Sequence, residues 1–232
     1  AVFQALLEQH PELNVNPDSP AEWETNGLVV WDSKLPKRIG RLNLSGKNLS
    51  GVLDISGLPC LTDLSCKDNS LTELNLSSLP ELKRLDCGTN QLETLSMSGL
   101  SALQNLTCDG NQIKELDISQ LPKLNALYCT GNPFERLITQ KGELAISQRE
   151  GGTVTIASFL PLTDRISLTA SDPDADHTFN GWWAEGVTLA DASANPVSFI
   201  LDGDIGITPL YTPTENAAAV DLATKEVLAA DF

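Results

Sequence analysis

The chain has 232 residues, 41% of them hydrophobic and 20% charged. That composition suits one large or two ordinary globular domains rather than a disordered chain. Fifteen basic against 31 acidic residues leave a net charge of −16, which disfavours nucleic acid and anionic lipid as partners. No apolar run approaches the roughly 18–20 residues of a membrane-crossing helix, so no membrane insertion of this chain is expected.

Residues 1–38 read as an amino-terminal cap. VFQALLEQ places apolar side chains at positions 2, 3, 6 and 7, which form one helical face. A Pro-containing loop follows, then WETNGLVVW, in which Asn26-Gly27 marks a turn and LVVW a strand. Trp23 and Trp31 are read as plugs over the end of a core rather than as ligand-stacking rings.

From 39 to 142 the chain repeats itself every 21 residues. Four units share the form L-x-x-L-x-C-x-x-N-x-L: LTDLSCKDNSL from Leu61, LKRLDCGTNQL from Leu82, LQNLTCDGNQI from Leu103 and LNALYCTGNPF from Leu124. Downstream, Leu74, Leu95, Leu116 and Leu137 keep step, as do Leu79, Leu100 and Leu121. An earlier unit, IGRLNLSGKNL from Ile39, has Leu44 in the cysteine slot and is read with one extra residue before Asn48. One such unit cannot bury its inward residues alone, whereas units stacked through a parallel sheet bury each other. Asn69, Asn90, Asn111 and Asn132 fall where the chain turns away from the sheet. They are read as structural, their amides satisfying the backbone of a buried turn.

Cys66, Cys87, Cys108 and Cys129 occupy one inward slot and should form a column. Neighbouring strands lie about 4.8 Å apart, so four thiolates strung along about 15 Å cannot converge on one tetrahedral ion. A disulfide between neighbours is nearly allowed by distance, but in-register side chains point the same way rather than at each other. Buried free thiols are the reading, with a bridge between neighbours as the alternative. Cys60 shares the slot of Glu81, Ala102 and Lys123, which tolerates charge, and is expected near the surface and unpaired.

Over residues 39–140 this pattern resembles the leucine-rich repeat family. The resemblance implies a short solenoid whose outward strand positions line a concave recognition face. Unit by unit these are Arg41, Asn43 and Ser45; Asp63, Ser65 and Lys67; Arg84, Asp86 and Gly88; Asn105, Thr107 and Asp109; Ala126, Tyr128 and Thr130.

After residue 143 the grammar changes to alternating Thr, Val, Ile, Leu and Phe bounded by turn residues, which signals short antiparallel strands. Fourteen acidic and three basic residues follow Glu143, Glu143 included; that step in charge suggests a second module over 143–212. GGTV at 151–154, ISLTA at 166–170, FNGW at 179–182 and DGD at 202–204 resemble the small modules that follow the repeats of internalin-type bacterial surface proteins. That resemblance implies a β-grasp-like spacer without catalytic residues. Residues 213–232 are Ala-rich and acidic, a tail or linker.

Chemistry finds little purchase. His10 and His177 are the two histidines, and no catalytic pairing, phosphate loop, H-E-x-x-H or C-x-x-C accompanies them. Neither enzymatic activity nor a cofactor is expected. Asp172, Asp174 and Asp176 imitate the opening of a calcium loop but lack its Gly and its twelfth-position Glu, so an acidic hairpin tip is preferred. Trp182 and Trp183 alternate, one toward the core and one outward, where a sugar could stack.

What remains is surface. The candidate binding residues are Arg41, Asn43, Asp63, Lys67, Arg84, Asp86, Asn105, Asp109 and Tyr128, with Arg84, Arg41 and Tyr128 as anchors because hot spots favour Arg and Tyr. The expected molecule is mainly β: a capped, short leucine-rich repeat solenoid followed by a small antiparallel β module. Its expected role is non-enzymatic recognition or adhesion at a bacterial cell surface, its export signal removed, with a host or cell-surface protein as partner and a glycan as second choice. A stalk presenting another domain and a carbohydrate-binding accessory are the alternatives.

Overall fold

The computed structural model describes residues 2–14, 16, 18–33, 38–148, 153–171 and 177–213. Gly151, Gly152, Asp172, Asp174, Asp176, the tail from 214 onward and the side chains of Val2 and Phe3 lie outside the described residues.

The cap consists of helix α1 (Val2–Gln9), a 3-10 turn (Pro11–Leu13), helix α2 (Pro20–Thr25) and strand β1 (Val29–Trp31). Pro20 opens α2, where its missing N–H is not needed. Leu6, Leu7, Leu13, Trp23 and Leu28 are buried, and Trp23 stacks on half-buried Trp31 with ring centroids 6.2 Å apart.

The coils carry two kinds of strand. In chain order they are β2 (Ile39–Asn43), β3 (Ser50–Asp54), β4 (Asp63–Ser65), β5 (Ser70–Asn75), β6 (Arg84–Asp86), β7 (Asn105–Thr107), β8 (Glu115–Asp117), β9 (Ala126–Tyr128) and β10 (Arg136–Ile138). Strands β2, β4, β6, β7 and β9 pair in parallel and in register. Across the same core, β3 pairs with β5 and β8 with β10, also in parallel. The protein is thus a mainly β solenoid of about five turns with few helices.

Inward residues stack in columns. One holds Leu42, Leu64, Leu85, Leu106 and Leu127, another Leu49, Leu71, Leu92, Ile113 and Phe134, all buried. Each such side chain contributes about 1.5–3 kcal/mol on leaving water. The first coil corrects the reading of Asn48. Leu44 and Leu49 precede Cys66 and Leu71 by 22 residues, whereas Leu53 precedes Leu74 by 21. The extra residue therefore lies between Leu49 and Leu53, where the β3–β5 register shifts. Lys47 holds the asparagine slot, and Asn48 is exposed at φ 59°.

Asparagines tie the coils together. The Asn111 amide nitrogen donates to the carbonyls of Cys87 (3.1 Å), Cys108 (3.0 Å) and Asp109 (3.3 Å), and its oxygen accepts the Leu92 N–H at 3.0 Å. Asn90 and Asn132 repeat this one coil earlier and one later. Asn69 accepts both the Lys47 and Leu49 N–H groups at 3.0 Å. Asn111 is 1% exposed, a depth at which each unbonded amide or carbonyl costs about 1–3 kcal/mol. The residue before each asparagine is left-handed: Asp68 (φ 56°), Thr89 (52°), Gly110 (61°) and Gly131 (67°). Across the core, Asp54, Asn75, Ser96 and Asp117 each accept the N–H two residues on, closing a second turn per coil.

Cys66, Cys87 and Cys108 are fully buried, Cys129 is 2% exposed, and Cys60 is half-buried; all five are free. Burial pushes the Cys66 and Cys129 thiols up to about 12 and those of Cys87 and Cys108 well above the ordinary thiol value, because a buried thiolate loses its hydration. The column behaves as four small apolar side chains.

The remaining strands are β11 (Glu143–Ile146), β12 (Thr153–Leu160), β13 (Arg165–Ser171), β14 (His177–Glu185), β15 (Val197–Ile200) and β16 (Ile205–Pro213). They extend the solenoid rather than standing apart from it. β12 lies antiparallel to β9 through Phe159 opposite Leu127, and β13 and β15 follow, completing a nine-stranded sheet. On the other side β11, β16 and β14 continue from β10, completing a five-stranded sheet. Residue 143 therefore begins a strand paired with the last coil, and Val154, Ile156, Phe159, Ile166 and Phe199 share one core with Leu127 and Leu137. No helix occurs among the described residues of 143–213.

Arg136 locks the junction, bonding Glu115 on β8 at 2.8 Å and both Glu143 oxygens at 2.8 and 2.9 Å. Beside it, a Cβ added to Gly142 would stand 2.2 Å from the Gly203 carbonyl oxygen, so the two backbones touch only because no side chain intervenes.

A thiol reagent applied to the native protein is expected to modify Cys60 at most, with the four column thiols reacting only on denaturation; rapid native labelling of several would put their slot outside the core. Thr89→Gly should stabilise. A left-handed non-Gly residue costs about 1–2 kcal/mol and a glycine about 0.5–1 in entropy, leaving a gain of about 0.5–1 kcal/mol, read as a higher Tm. Gly142→Ala should cost about 3 kcal/mol or more in denaturant titration. Gly27→Ala, also left-handed but with nothing within 4 Å, should cost only about 1 kcal/mol.

Candidate recognition surface

Alternation on the nine-stranded sheet turns every second side chain outward. Register across the strands sets one outward row as Val30, Arg41, Asp63, Arg84, Asn105, Ala126, Leu160, Arg165 and Ile200. The next row carries Asn43, Ser65, Asp86, Thr107, Tyr128, Ser158, Ser167 and Ser198. Lys67, Gly88 and Asp109 continue just past the strand ends.

Charges on this face are arranged by the register. Asp63 sits between two arginines: Arg84 Nε donates to its carboxylate, and Arg41 Nε lies 3.7 Å away. The Thr62 hydroxyl donates to the same carboxylate at 2.7 Å. Arg41 and Arg84, named above as anchors, are therefore partly neutralised by one carboxylate, although both remain more than half exposed. Asn43 spends its amide oxygen on the Ser45 N–H at 3.1 Å, and the Ser45 and Ser65 hydroxyls bond at 2.7 Å. Asn105 and Thr107 are half-buried, and Tyr128 is 61% exposed.

Burial raises the Asp86 carboxyl above the ordinary range. The Gly88 N–H, 3.3 Å away, and Lys67 oppose that rise, while Asp109 and Asp68 add to it by like charge. Lys67 pairs loosely with Asp68 at 3.8 Å. The Asp109 carboxylate lies 2.9 Å from where a Gly88 Cβ would stand, so the glycine leaves room for it over the sheet. A depression of about 500 Å³ covers the β1–β7 part of the face, lined by residues including Val30, Arg41, Asn43, Asp63, Arg84, Asp86 and Asn105. Another, of about 660 Å³, lies across the core beside β5 and is lined mainly by hydroxyls and Glu73 and Glu93.

His10 is buried in the cap with Nδ1 3.0 Å from Glu12, and His177 is half-buried at the start of β14. Among the described residues, no group of three or more His, Cys, Asp or Glu side chains is placed to hold a metal ion. Trp182 is buried, its indole N–H donating to Ala194 at 2.9 Å, while Trp183 is half-buried.

Sequence reasoning ended the face with the last coil, at Ala126, Tyr128 and Thr130. It missed Leu160, Arg165 and Ile200, although alternation in LTDRISL already sets Arg165 opposite to Ile166 and Leu168. That this face continues the repeat sheet depends on the pairing of Phe159 with Leu127, which local pattern does not carry.

No family model matches the chain, and no curated protein matches it. Among solved structures, the chain is similar to the functional domain of InlJ from Listeria monocytogenes, described as including a cysteine ladder. The two are 17% identical with a TM-score of 0.30, over 69% of this chain and 49% of that one, so this chain matches about half the length of that structure.

Proposed function

We propose that the chain is the recognition part of an extracellular, internalin-like leucine-rich repeat protein, that it is not an enzyme, and that it binds a host or cell-surface protein on the outward face of its nine-stranded sheet. The observation that carries this reading is the face itself. Nine strands drawn from cap, coils and carboxy-terminal module present one continuous surface, with a depression of about 500 Å³ at its β1–β7 end. The leucine-rich repeat assignment draws on the period of 21 and on the fixed cysteine and asparagine slots.

Charge favours the same face. It carries Arg41, Lys67, Arg84 and Arg165 against Asp63, Asp86 and Asp109, so it is nearly neutral on a chain with twice as many acids as bases. A protein of ordinary composition meets least repulsion there. The glycan reading is weaker, because Trp182 is buried and Trp183 half-buried. The stalk reading draws on the carboxy-terminal strands continuing both sheets, which makes one stiff body.

The test compares capture of extracellular host proteins by the intact chain and by a triple variant, Arg41→Gln, Arg84→Gln and Tyr128→Ala. Binding should weaken at least about tenfold, about 1.4 kcal/mol, while outward substitutions cost less than about 0.5 kcal/mol each in stability. Leu85→Ala, under the same face, should instead cost about 2–5 kcal/mol through a core cavity. A triple variant that captures its partner at full affinity would remove this reading and favour the stalk.

A further inference from the structure

We infer that the partner is anchored at the carboxy-terminal end of the face, where Leu160, Arg165, Ile200 and Tyr128 form a docking patch for a protein segment that presents a carboxylate beside an apolar side chain. This rests on the recognition reading above and specifies where on the face, and with what chemistry, it operates.

Six large apolar side chains are exposed among the described residues, and four of them, Tyr128, Leu160, Leu162 and Ile200, lie at this end. Scattered single residues of this kind are ordinary, but a cluster is not. Register sets Leu160, Arg165 and Ile200 side by side on β12, β13 and β15, a row about 10 Å across. Tyr128 stands one strand before it on β9, on the diagonal from Leu160.

Arg165 is the chemical centre. Arg38, Arg41, Arg84 and Arg136 each have a carboxylate partner. Arg165 has none among the described residues, and it is the one basic side chain among the described residues of 143–213. A guanidinium flanked by two aliphatic side chains is less hydrated than one among polar neighbours, so a carboxylate arriving there gains more than on an open surface. Tyr and Arg within an apolar surround are also the composition of binding hot spots. A guard against edge-to-edge aggregation would put its charge on the edge strand itself. Here the edge strand β15 carries Ile200, and Arg165 lies one strand in.

The occupant follows from complementarity. A second copy would set like charges together and bring two bodies of net charge −16 into contact. A sulfated or phosphorylated polyanion would satisfy Arg165 but leave Leu160, Ile200 and Tyr128 uncovered. A protein segment with Asp or Glu next to a leucine or aromatic residue satisfies both.

The test pans the intact chain with a phage-displayed library of random peptides, then titrates the enriched sequences as blocked synthetic peptides by fluorescence anisotropy. Enriched peptides should pair Asp or Glu with Leu, Phe or Trp. Arg165→Glu and Leu160→Ser should each weaken them at least about tenfold, while Lys114→Gln, exposed across the core just before β8, changes affinity less than about twofold. Arg165→Lys, which keeps charge but loses the planar fork, should fall between, and circular dichroism confirms that each variant folds. Four results would each overturn the proposal: no enrichment, enrichment of basic peptides, binding indifferent to Arg165→Glu, or a sulfated oligosaccharide that binds through Arg165 where the peptides do not. So would concentration-dependent dimerisation abolished by Leu160→Ser, which would mean a second copy covers the patch. Peptides that bind here while no extracellular protein is captured would keep the patch and remove the recognition reading. A captured partner indifferent to Arg165→Glu would do the reverse.

Discussion

A chain that turns inside its own core has to bond every turn carbonyl without help from water. In this protein that constraint falls on Asn69, Asn90, Asn111 and Asn132, one asparagine in each coil after the first. Each amide reaches the carbonyl of its own coil's cysteine and that of the residue in the same slot one coil earlier, and its oxygen takes an N–H from the earlier coil as well. The bonds leave little freedom in spacing or rotation between neighbours. A small side chain suffices in the cysteine slot, because much of the holding is done by the backbone around it.

Everything on the outside inherits that order. With coils fixed one strand apart, residues separated by one repeat must stand beside each other, and Asp63 is set between Arg41 and Arg84 by register rather than by any local preference. The carboxy-terminal strands take up both sheets where the last coil leaves them, so the outward rows continue into side chains that obey no repeat. Cap and module also solve the same problem at opposite ends. Each covers an apolar surface that would otherwise face water, one with Trp23 and Leu28, the other with Phe159 and Phe199.

The repeat was legible because it is written in local, periodic slots: inward leucines, a cysteine and an asparagine at fixed spacing. Asn48 shows the limit of that reading. Aligning letters sets it with Asn69, but the inward positions Leu44 and Leu49 count differently, and geometry gives the slot to Lys47. The Arg41–Asp63–Arg84 trio was within reach, since all three hold the same outward position in successive units. The far end of the face was not. The pairing of Phe159 with Leu127 joins segments 32 residues apart across a change of grammar, and alternation alone does not say which strand lies next to which.

The asparagine bonds also have a direction. The carbonyls of Cys66, Cys87 and Cys108 each accept from two asparagines, their own and the next, whereas Leu44 and Cys129 at the two ends accept from one. The stack is therefore modular, with a built-in reading frame. A duplicated whole coil arrives with every donor and acceptor already in place, while a single inserted residue on the ladder side would break two coils at once. The one irregular coil carries its additional residue between Leu49 and Leu53, toward the opposite sheet, where the ladder does not pass. Such a molecule can change the length of its face over evolutionary time in whole steps only, tolerating small slips along one flank and none along the other.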